Sequence, residues 1–358
     1  MNLLALITDG FGASGGIARY NQDLMLALAQ SSAVGQVIAL PRHGAEVGML
    51  PARVVQLGAE PSRLAWSRRA VMLAARNHFD AIFCGHLNAA PLAAVLARLL
   101  RIPLWLQAHG IEAWHPSGRF ARRAVQDARL VTAVSRCTRD RLLSWTNLDP
   151  ARVRVLPNTM SDSYRPGLRP AHLVERHGLE GRKVILTVGR VAASERYKGH
   201  DRILKALPAV LARVPDAAFL IVGDGNDRPR LQQMARDVGV AGRVVFAGSV
   251  GQDELAAYFR LADVFAMPST GEGFGIVFLE AARSGVPVIG GNKDGSVDAL
   301  GDGEIGTMID PDDEDQLASA LVTALHAGRP ATPNLAVERF AFDHFARHVD
   351  DLVRQHLA

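Results

Sequence analysis

The stretch Val264-Phe265-Ala266-Met267-Pro268-Ser269-Thr270-Gly271-Glu272-Gly273-Phe274-Gly275-Ile276-Val277-Phe278-Leu279-Glu280 reads as three pieces. A short apolar run, Val264 to Met267, predicts a buried strand. Gly271, Gly273 and Gly275 then free the backbone for a tight turn and for close approach of a ligand. The residues that follow predict a helix, and the amides near Gly275 to Val277 form an anion site at its start. Strand, glycine loop and helix in that order are the repeating piece of a βαβ protein.

The same alternation runs outward along all 358 residues. Strands are expected at Leu3 to Thr8, Gln36 to Leu40, Arg53 to Leu57, Ala81 to Cys84, Leu104 to Ala108, Leu130 to Val134 and Val153 to Leu156. A second series follows at Val184 to Val188, Ala218 to Val222, Val244 to Ala247, Val264 to Met267, Val286 to Ile289 and Thr307 to Ile309, with helical-period segments between. This is an α/β chain of two Rossmann-like domains in series. Pro157, Pro166, Gly167 and Pro170 punctuate a polar stretch and mark the join. The expected division is an N-terminal domain over 1–165, a C-terminal domain over 166–335, and a terminal segment over 336–358. Phe340, Phe342, Phe345, Val349, Leu352 and Val353 give that segment a helical period and an apolar face that docks on a domain.

At 48% hydrophobic and 21% charged residues the composition is globular and excludes disordered and collagen-like classes. Two cysteines, Cys84 and Cys137, are too few for a disulfide framework or a cysteine zinc site. No basic leader precedes Leu3-Leu4-Ala5-Leu6-Ile7, and Pro91, Arg98, Arg101 and Pro103 interrupt the most apolar window, so a cytoplasmic location without a spanning helix is expected. Charge is uneven: residues 1–165 carry 19 Arg, no Lys and 10 acids, a net of +9, and the remainder carries −5. An anionic partner for the N-terminal half follows.

Gly10-Phe11-Gly12-Ala13-Ser14-Gly15 sits between a strand and a helix opening at Gly16, which is the G-x-G-x-x-G context for a phosphate on a helix N-terminus. A dinucleotide fold also needs an acid at the end of the second strand; here that strand ends Ala39-Leu40-Pro41-Arg42. Arg42 leaves an NADP-dependent oxidoreductase as the alternative. In the second half, Thr187-Val188-Gly189-Arg190 ends a strand, and Glu195-Arg196-Tyr197-Lys198-Gly199-His200-Asp201 is expected to open a helix. Arg190 and Lys198 then share one connection at the carboxyl edge of a sheet, a fork and a point charge suited to a diphosphate. Glu272 in the loop and Glu280, more than a turn into the helix, are placed to accept hydrogen bonds from sugar hydroxyls at two ends of one ligand.

Together the Glu272-x7-Glu280 pattern with its Glu-Gly-Phe-Gly loop, Ser284-Gly285-Val286-Pro287-Val288-Ile289, the Gly189-Arg190 and Lys198-Gly199 pairs and Gly223-Asp224-Gly225 resemble the retaining family 4 glycosyltransferases of GT-B fold. The resemblance implies two Rossmann-like domains facing a central cleft. It also implies that Arg190 and Lys198 hold the donor diphosphate, with Gly15 and Gly16 amides facing it. Glu272, Gly273, Phe274, Gly275 and Ile276 would hold the donor sugar, Glu280 the ribose, and Gly225, Ser249 and Val250 the base. His109, in Gln107-Ala108-His109-Gly110, matches the histidine that contacts the transferred sugar. Seven residues separate Arg190 from Lys198, longer than the usual spacing, and Arg196 competes for the phosphates. Asn158-Thr159 stands where the family often has Asn-Gly.

The implied reaction moves a hexose from a UDP- or GDP-sugar to a saccharide or lipid-linked acceptor in polysaccharide or glycolipid synthesis, with no metal. A GT-B sugar-nucleotide epimerase is a further alternative. Asp310-Pro311-Asp312-Asp313 reads as a solvated acidic turn. Arg119, Arg122, Arg123 and Arg129, on or near one helix, are the expected contacts for an anionic membrane surface on the inner face, or for a lipid diphosphate. The half they belong to lacks a basic-aromatic motif, so no nucleic acid is expected.

Overall fold

Among the described residues of the computed structural model, which are 1–45, 49–116, 118–330, 332 and 334–357, two parallel sheets are built from runs that are apolar on both faces. The first has seven strands: β1 (Asn2–Asp9), β2 (Gln36–His43), β3 (Val54–Gln56), β4 (Ala81–Cys84), β5 (Leu104–Ala108), β6 (Leu130–Ala133) and β7 (Val153–Val155), in the order β3-β2-β1-β4-β5-β6-β7. The second has six: β8 (Lys183–Val188), β9 (Ala217–Val222), β10 (Val244–Gly248), β11 (Val264–Met267), β12 (Val288–Gly291) and β13 (Thr307–Ile309), in the order β10-β9-β8-β11-β12-β13. Strands such as β4 and β9 are buried at every position. Sheets with helices on both faces require this, because neither side meets water.

Register is set by the same runs, for example Leu3↔Val37 and Leu3↔Ala81 around β1, and Val264↔Ile185 between β11 and β8. Strand order reverses between β1 and β4 in one sheet and between β8 and β11 in the other. Crevices outside the carboxyl ends at such reversals are where open α/β sheets bind ligands. Each sheet has its own core: Leu6, Ile82, Leu106 and Val131 in the first, Ile185, Leu204, Phe219 and Leu321 in the second. Each fully buried side chain of this kind stabilises by about 1.5–3 kcal/mol.

The chain divides into two units, Met1–Thr159 with Phe340–Ala358, and Met160–Arg339. Residues 160–165 and 336–339 therefore group with the second sheet, and the last helix with the first. Several elements differ from the sequence expectation: the strand expected at Val286 to Ile289 runs Val288–Gly291, and two others differ more. β2 continues through Pro41 to His43; Pro41 lacks an N–H for the ladder, but its carbonyl accepts from Glu60 N at 3.1 Å. The terminal segment is a 3-10 turn, Leu335–Phe340, and a separate α-helix, Phe342–His356. The break falls at Ala341, whose backbone is extended, while the Phe340 carbonyl accepts from Thr159 Oγ1 at 2.7 Å. The final helix docks on the helix Gly16–Gln30: Phe345 meets the Tyr20 ring edge-on at 5.9 Å, and Ser31 Oγ donates to Asp350.

Candidate active site

The second sheet gathers four loops at its carboxyl edge. After β8, Val191 N donates to the Asp224 carbonyl at 3.0 Å, so the chain runs against the loop that follows β9. Gly223, at φ +130°, makes that approach possible, since a Cβ there would lie 1.9 Å from the Gly189 oxygen. Gly225 lies in the same loop and is exposed; Ser249, exposed, and Val250, half-buried, follow β10, which Gly223 N joins through the Gly248 carbonyl at 2.8 Å. Residues Ala193–Lys198 form a 3-10 turn and the α-helix begins at His200, near the end of the Glu195 to Asp201 stretch expected to open it. Glu195 breaks the helical path at φ −119°, ψ 26°. That break turns its carboxylate inward.

Lys198 is the centre of this edge. Its Nζ lies 3.0 Å from Glu272 Oε2 and 3.7 Å from Glu195 Oε2. Burial alone would lower the Lys198 pKa, but Glu272, Tyr197 and Glu195 outweigh it and hold the ammonium charged, above its ordinary range. Arg190 pairs with Glu195 while most of its guanidinium remains in solvent. Arg196, the competing cation, turns elsewhere: its Nε donates to Asp227 Oδ1 at 3.0 Å. Lys198 and Glu272 are thus in direct contact, and Arg190 is one carboxylate removed.

The loop after β11 is fixed by buried polar contacts. Glu272 N donates to Asp294 Oδ2 at 2.7 Å, and Gly295 N donates to the Glu272 carbonyl at 2.9 Å. Thr270 N donates to the Tyr197 carbonyl at 2.9 Å, joining this loop to the one that carries Lys198. Burial raises the pKa of Asp294, although its hydrogen bonds from Ser296 and Glu272 N pull the other way. Gly275, at φ +86°, caps the helix Ile276–Arg283. Gly273, Phe274 and Gly275 are buried, Ile276 is half-buried, and Glu280 is only 4% exposed, so it is no solvated face residue. A charge-assisted acceptor that far from water needs donors around it.

In the first unit, Gly15 has φ +106° and precedes the helix Gly16–Gln30; a Cβ on either Gly15 or Gly16 would meet nothing within 4 Å, so the backbone there is open. His109 follows β5. Its Nε2 lies 2.9 Å from the Gly85 carbonyl, and its backbone N donates to Glu112 at 2.5 Å. Burial lowers its pKa to about 4, against the pull of Glu112. A carbonyl only accepts, so the neutral ring carries its proton on Nε2. Arg42 donates to the Pro61 carbonyl at 2.7 Å, away from the dinucleotide role weighed for it. Arg119, Arg122, Arg123 and Arg129 are exposed, but Arg122 Nε donates to the Trp145 carbonyl at 2.9 Å and Arg123 pairs with Asp127 at 3.1 Å.

Sequence reasoning missed Glu195, Asp294 and the supporting residues beneath His109. Glu195 carried one signal, an acid inside the Arg190 to Lys198 connection; Asp294 carried none, being tied to Glu272 only by the fold. Asp310 and Asp312 pair with Lys293 at 2.5 and 2.8 Å. Among the described residues, no cluster of three or more His, Cys, Asp or Glu is placed to hold a metal ion, and no helix is long and apolar enough to cross a membrane.

Two family descriptions match: Glycosyltransferase Family 4 over residues 14–163, and Glycosyl transferases group 1 over 182–327. The GDP-mannose-dependent alpha-(1-6)-phosphatidylinositol monomannoside mannosyltransferase of Mycolicibacterium smegmatis is 38% identical over 63% of this chain and 60% of its own length. The protein of the same name from Mycobacterium tuberculosis is 37% identical over 71% of this chain and 68% of its own. The alignments thus span only part of these relatives, 60% of the one and 68% of the other. The crystal structure of Anabaena HepE in complex with UDP and glucose shares the fold, with a TM-score of 0.77 at 19% identity, over 98% of this chain and 99% of that one. None of these relatives is an oxidoreductase or an epimerase, and the two parallel Rossmann-like sheets are the GT-B architecture. The chain belongs to the family 4 glycosyltransferases.

Proposed function

We propose that the protein transfers a hexosyl group, mannose first among candidates, from a GDP-sugar to a lipid-linked saccharide acceptor in glycolipid synthesis, with retention at the anomeric carbon. The observation that carries this reading is the Lys198–Glu272 pair at the β8/β11 reversal, a fixed cation and a carboxylate beside the start of the helix Ile276–Arg283. GDP is preferred to UDP because the mannosyltransferases at 37–38% identity are named for GDP-mannose, whereas HepE with UDP stands at 19%.

In this reading Lys198, Arg190 and the helix-start amides stabilise charge growing on the departing diphosphate. Glu272 accepts hydrogen bonds from the sugar and Glu280 from the ribose, with Gly225, Ser249 and Val250 beside the base. The bond between the anomeric carbon and the β-phosphate oxygen breaks, the acceptor oxygen attacks from the same face, and the leaving phosphate takes the acceptor proton. Glu272 is already engaged by Lys198, which argues against a covalent intermediate of the glycosidase type. No metal is assigned to any step. On the first unit, the family resemblance assigns His109 a contact with the transferred sugar and the open backbone of Gly15 and Gly16 a contact with phosphate.

A cytoplasmic location, peripheral on the inner membrane face, accompanies this reading. Its support is the +9 charge of residues 1–165 and the exposed Arg119, stacked 4.8 Å over an exposed Phe120. Flotation with anionic vesicles tests it: binding should fall when Arg119, Arg122, Arg123 and Arg129 are reversed in charge, and unchanged binding removes that surface.

Incubation with GDP-mannose or UDP-glucose and a phosphatidylinositol monomannoside acceptor tests the reaction itself. The expected product is an α-linked glycoside from the GDP-sugar. An isomerised nucleotide sugar with no acceptor product, or a glycosyl adduct trapped on Glu272, would contradict it.

A further inference from the structure

His109 does not sit in its pocket unaided. The ring of Tyr20, from the helix Gly16–Gln30, meets the His109 ring edge-on at 5.0 Å and 87°. Tyr20 is 1% exposed, and its hydroxyl donates to Gln107 Oε1 at 2.6 Å. That oxygen also accepts from Thr132 Oγ1 at 2.5 Å, and Thr132 in turn accepts from Trp105 Nε1 at 2.7 Å. Every donor in this chain is matched, which fixes the Tyr20 ring from below. From the other side Phe345, on the helix Phe342–His356, meets Tyr20 edge-on at 5.9 Å and 83°.

The His109 ring is therefore held by its Nε2 at the Gly85 carbonyl and by the edge-to-face pair with Tyr20, with the His86 ring tilted beside it at 6.4 Å. One hydrogen bond alone leaves a ring free to rock about it; an edge-to-face contact removes that freedom. We infer that Tyr20 is a positioning residue for His109, and that Phe345 braces Tyr20, so that the last helix of the chain supports placement of the transferred sugar. This rests on the reading of His109 as a sugar contact. A small misplacement of such a contact is enough to slow transfer without weakening the grip on the nucleotide, for which Lys198 and Glu280 are proposed.

The test is a double-mutant cycle on the full chain, with kcat for transfer and the affinity for GDP read separately. Tyr20→Leu is expected to lower kcat about tenfold while GDP affinity is unchanged, and Phe345→Leu to lower it less. Tyr20→Phe keeps the ring and should recover most of the loss. On a His109→Ala background, Tyr20→Leu should add nothing further. The nitrogen resonances of the His109 imidazole, followed by NMR, should shift in Tyr20→Leu and Phe345→Leu, which reports on the brace in any variant that folds. Additive losses, or His109 resonances unmoved by Tyr20→Leu, would overturn the inference. Full transfer by His109→Ala would instead remove the reading beneath it.

Discussion

Lys198 and Glu272, 74 residues apart in sequence, meet at 3.0 Å on the carboxyl edge of the second sheet. The pair holds the ammonium charged in a buried place, where an unpaired lysine would tend to lose its proton. Lys198→Ala removes the cation aimed at the departing diphosphate and leaves Glu272 and Glu195 facing each other. Steady-state transfer should show kcat reduced by about 10²–10³. Glu272→Gln keeps a hydrogen-bonding group for the sugar and should cost less. Equal kcat in wild type and Lys198→Ala would place the diphosphate elsewhere.

Asp294 touches no expected ligand position, yet it accepts from Glu272 N and Ser296 N. Asp294→Ala leaves two donors in a buried place unpaired, at about 1–3 kcal/mol. A fall in melting temperature should accompany a loss of transfer, because the Glu272 loop loses its anchor. Asp294→Asn, which keeps one acceptor oxygen, should lie between the two in both measurements.

The strands were legible almost throughout, because buried parallel strands leave short apolar runs that need no knowledge of their neighbours. Ala81–Cys84, Leu104–Ala108, Val264–Met267 and Thr307–Ile309 stand where the runs put them. Lys198 and Glu272 were legible as residues at strand ends, but their contact was not, since it depends on which strands are neighbours. The destination of each arginine was also hidden. Arg196 and Arg190 look alike in sequence, and only the inward turn of Glu195 and the position of Asp227 send them to different partners. The break at Ala341 has the same origin, since the hydrogen bond beside it joins Thr159 and Phe340, 181 residues apart.

Glycines divide by what surrounds them. At Gly223 a methyl group would lie 1.9 Å from the Gly189 oxygen, with φ at +130°. Gly223→Ala should destabilise by about 1–3 kcal/mol or more and displace the loop beside Arg190. At Gly16 the same methyl group meets nothing within 4 Å and enters a helix, where alanine is favoured by about 0.5–1 kcal/mol. Thermal denaturation should therefore rank Gly16→Ala at or above the wild type and Gly223→Ala well below it. The reverse order would contradict the backbone described for both loops.

Burial lowers His177, His348 and His356, but His109 and His200 lie furthest below the ordinary value and weigh most in the acid sensitivity. Burial lowers His109 to about 4, and burial with Lys198 lowers His200 to about 4. An unfolded histidine binds its proton near pH 6.5. Between those values the unfolded chain holds more protons than the folded one, so stability falls as pH drops through the window. Asp23, raised to about 6 by burial despite Arg19, takes up a proton in the folded chain first and opposes this trend between about 4 and 6. Urea midpoints should decline from pH 7.5 to 5.5, and His200→Leu should make that decline shallower. A midpoint that rises with acid would refute the buried neutral state of both rings.

Nucleotide binding tests the central claim most directly. Melting temperatures would be measured with GDP, UDP, ADP, NAD and NADP for the wild type, Lys198→Ala and Glu280→Ala. GDP should raise the melting temperature of the wild type most, and both variants should lose that rise. Stabilisation by NADP alone, or a GDP response that survives both substitutions, would contradict the assignment of Lys198 and Glu280 to a nucleotide-sugar site.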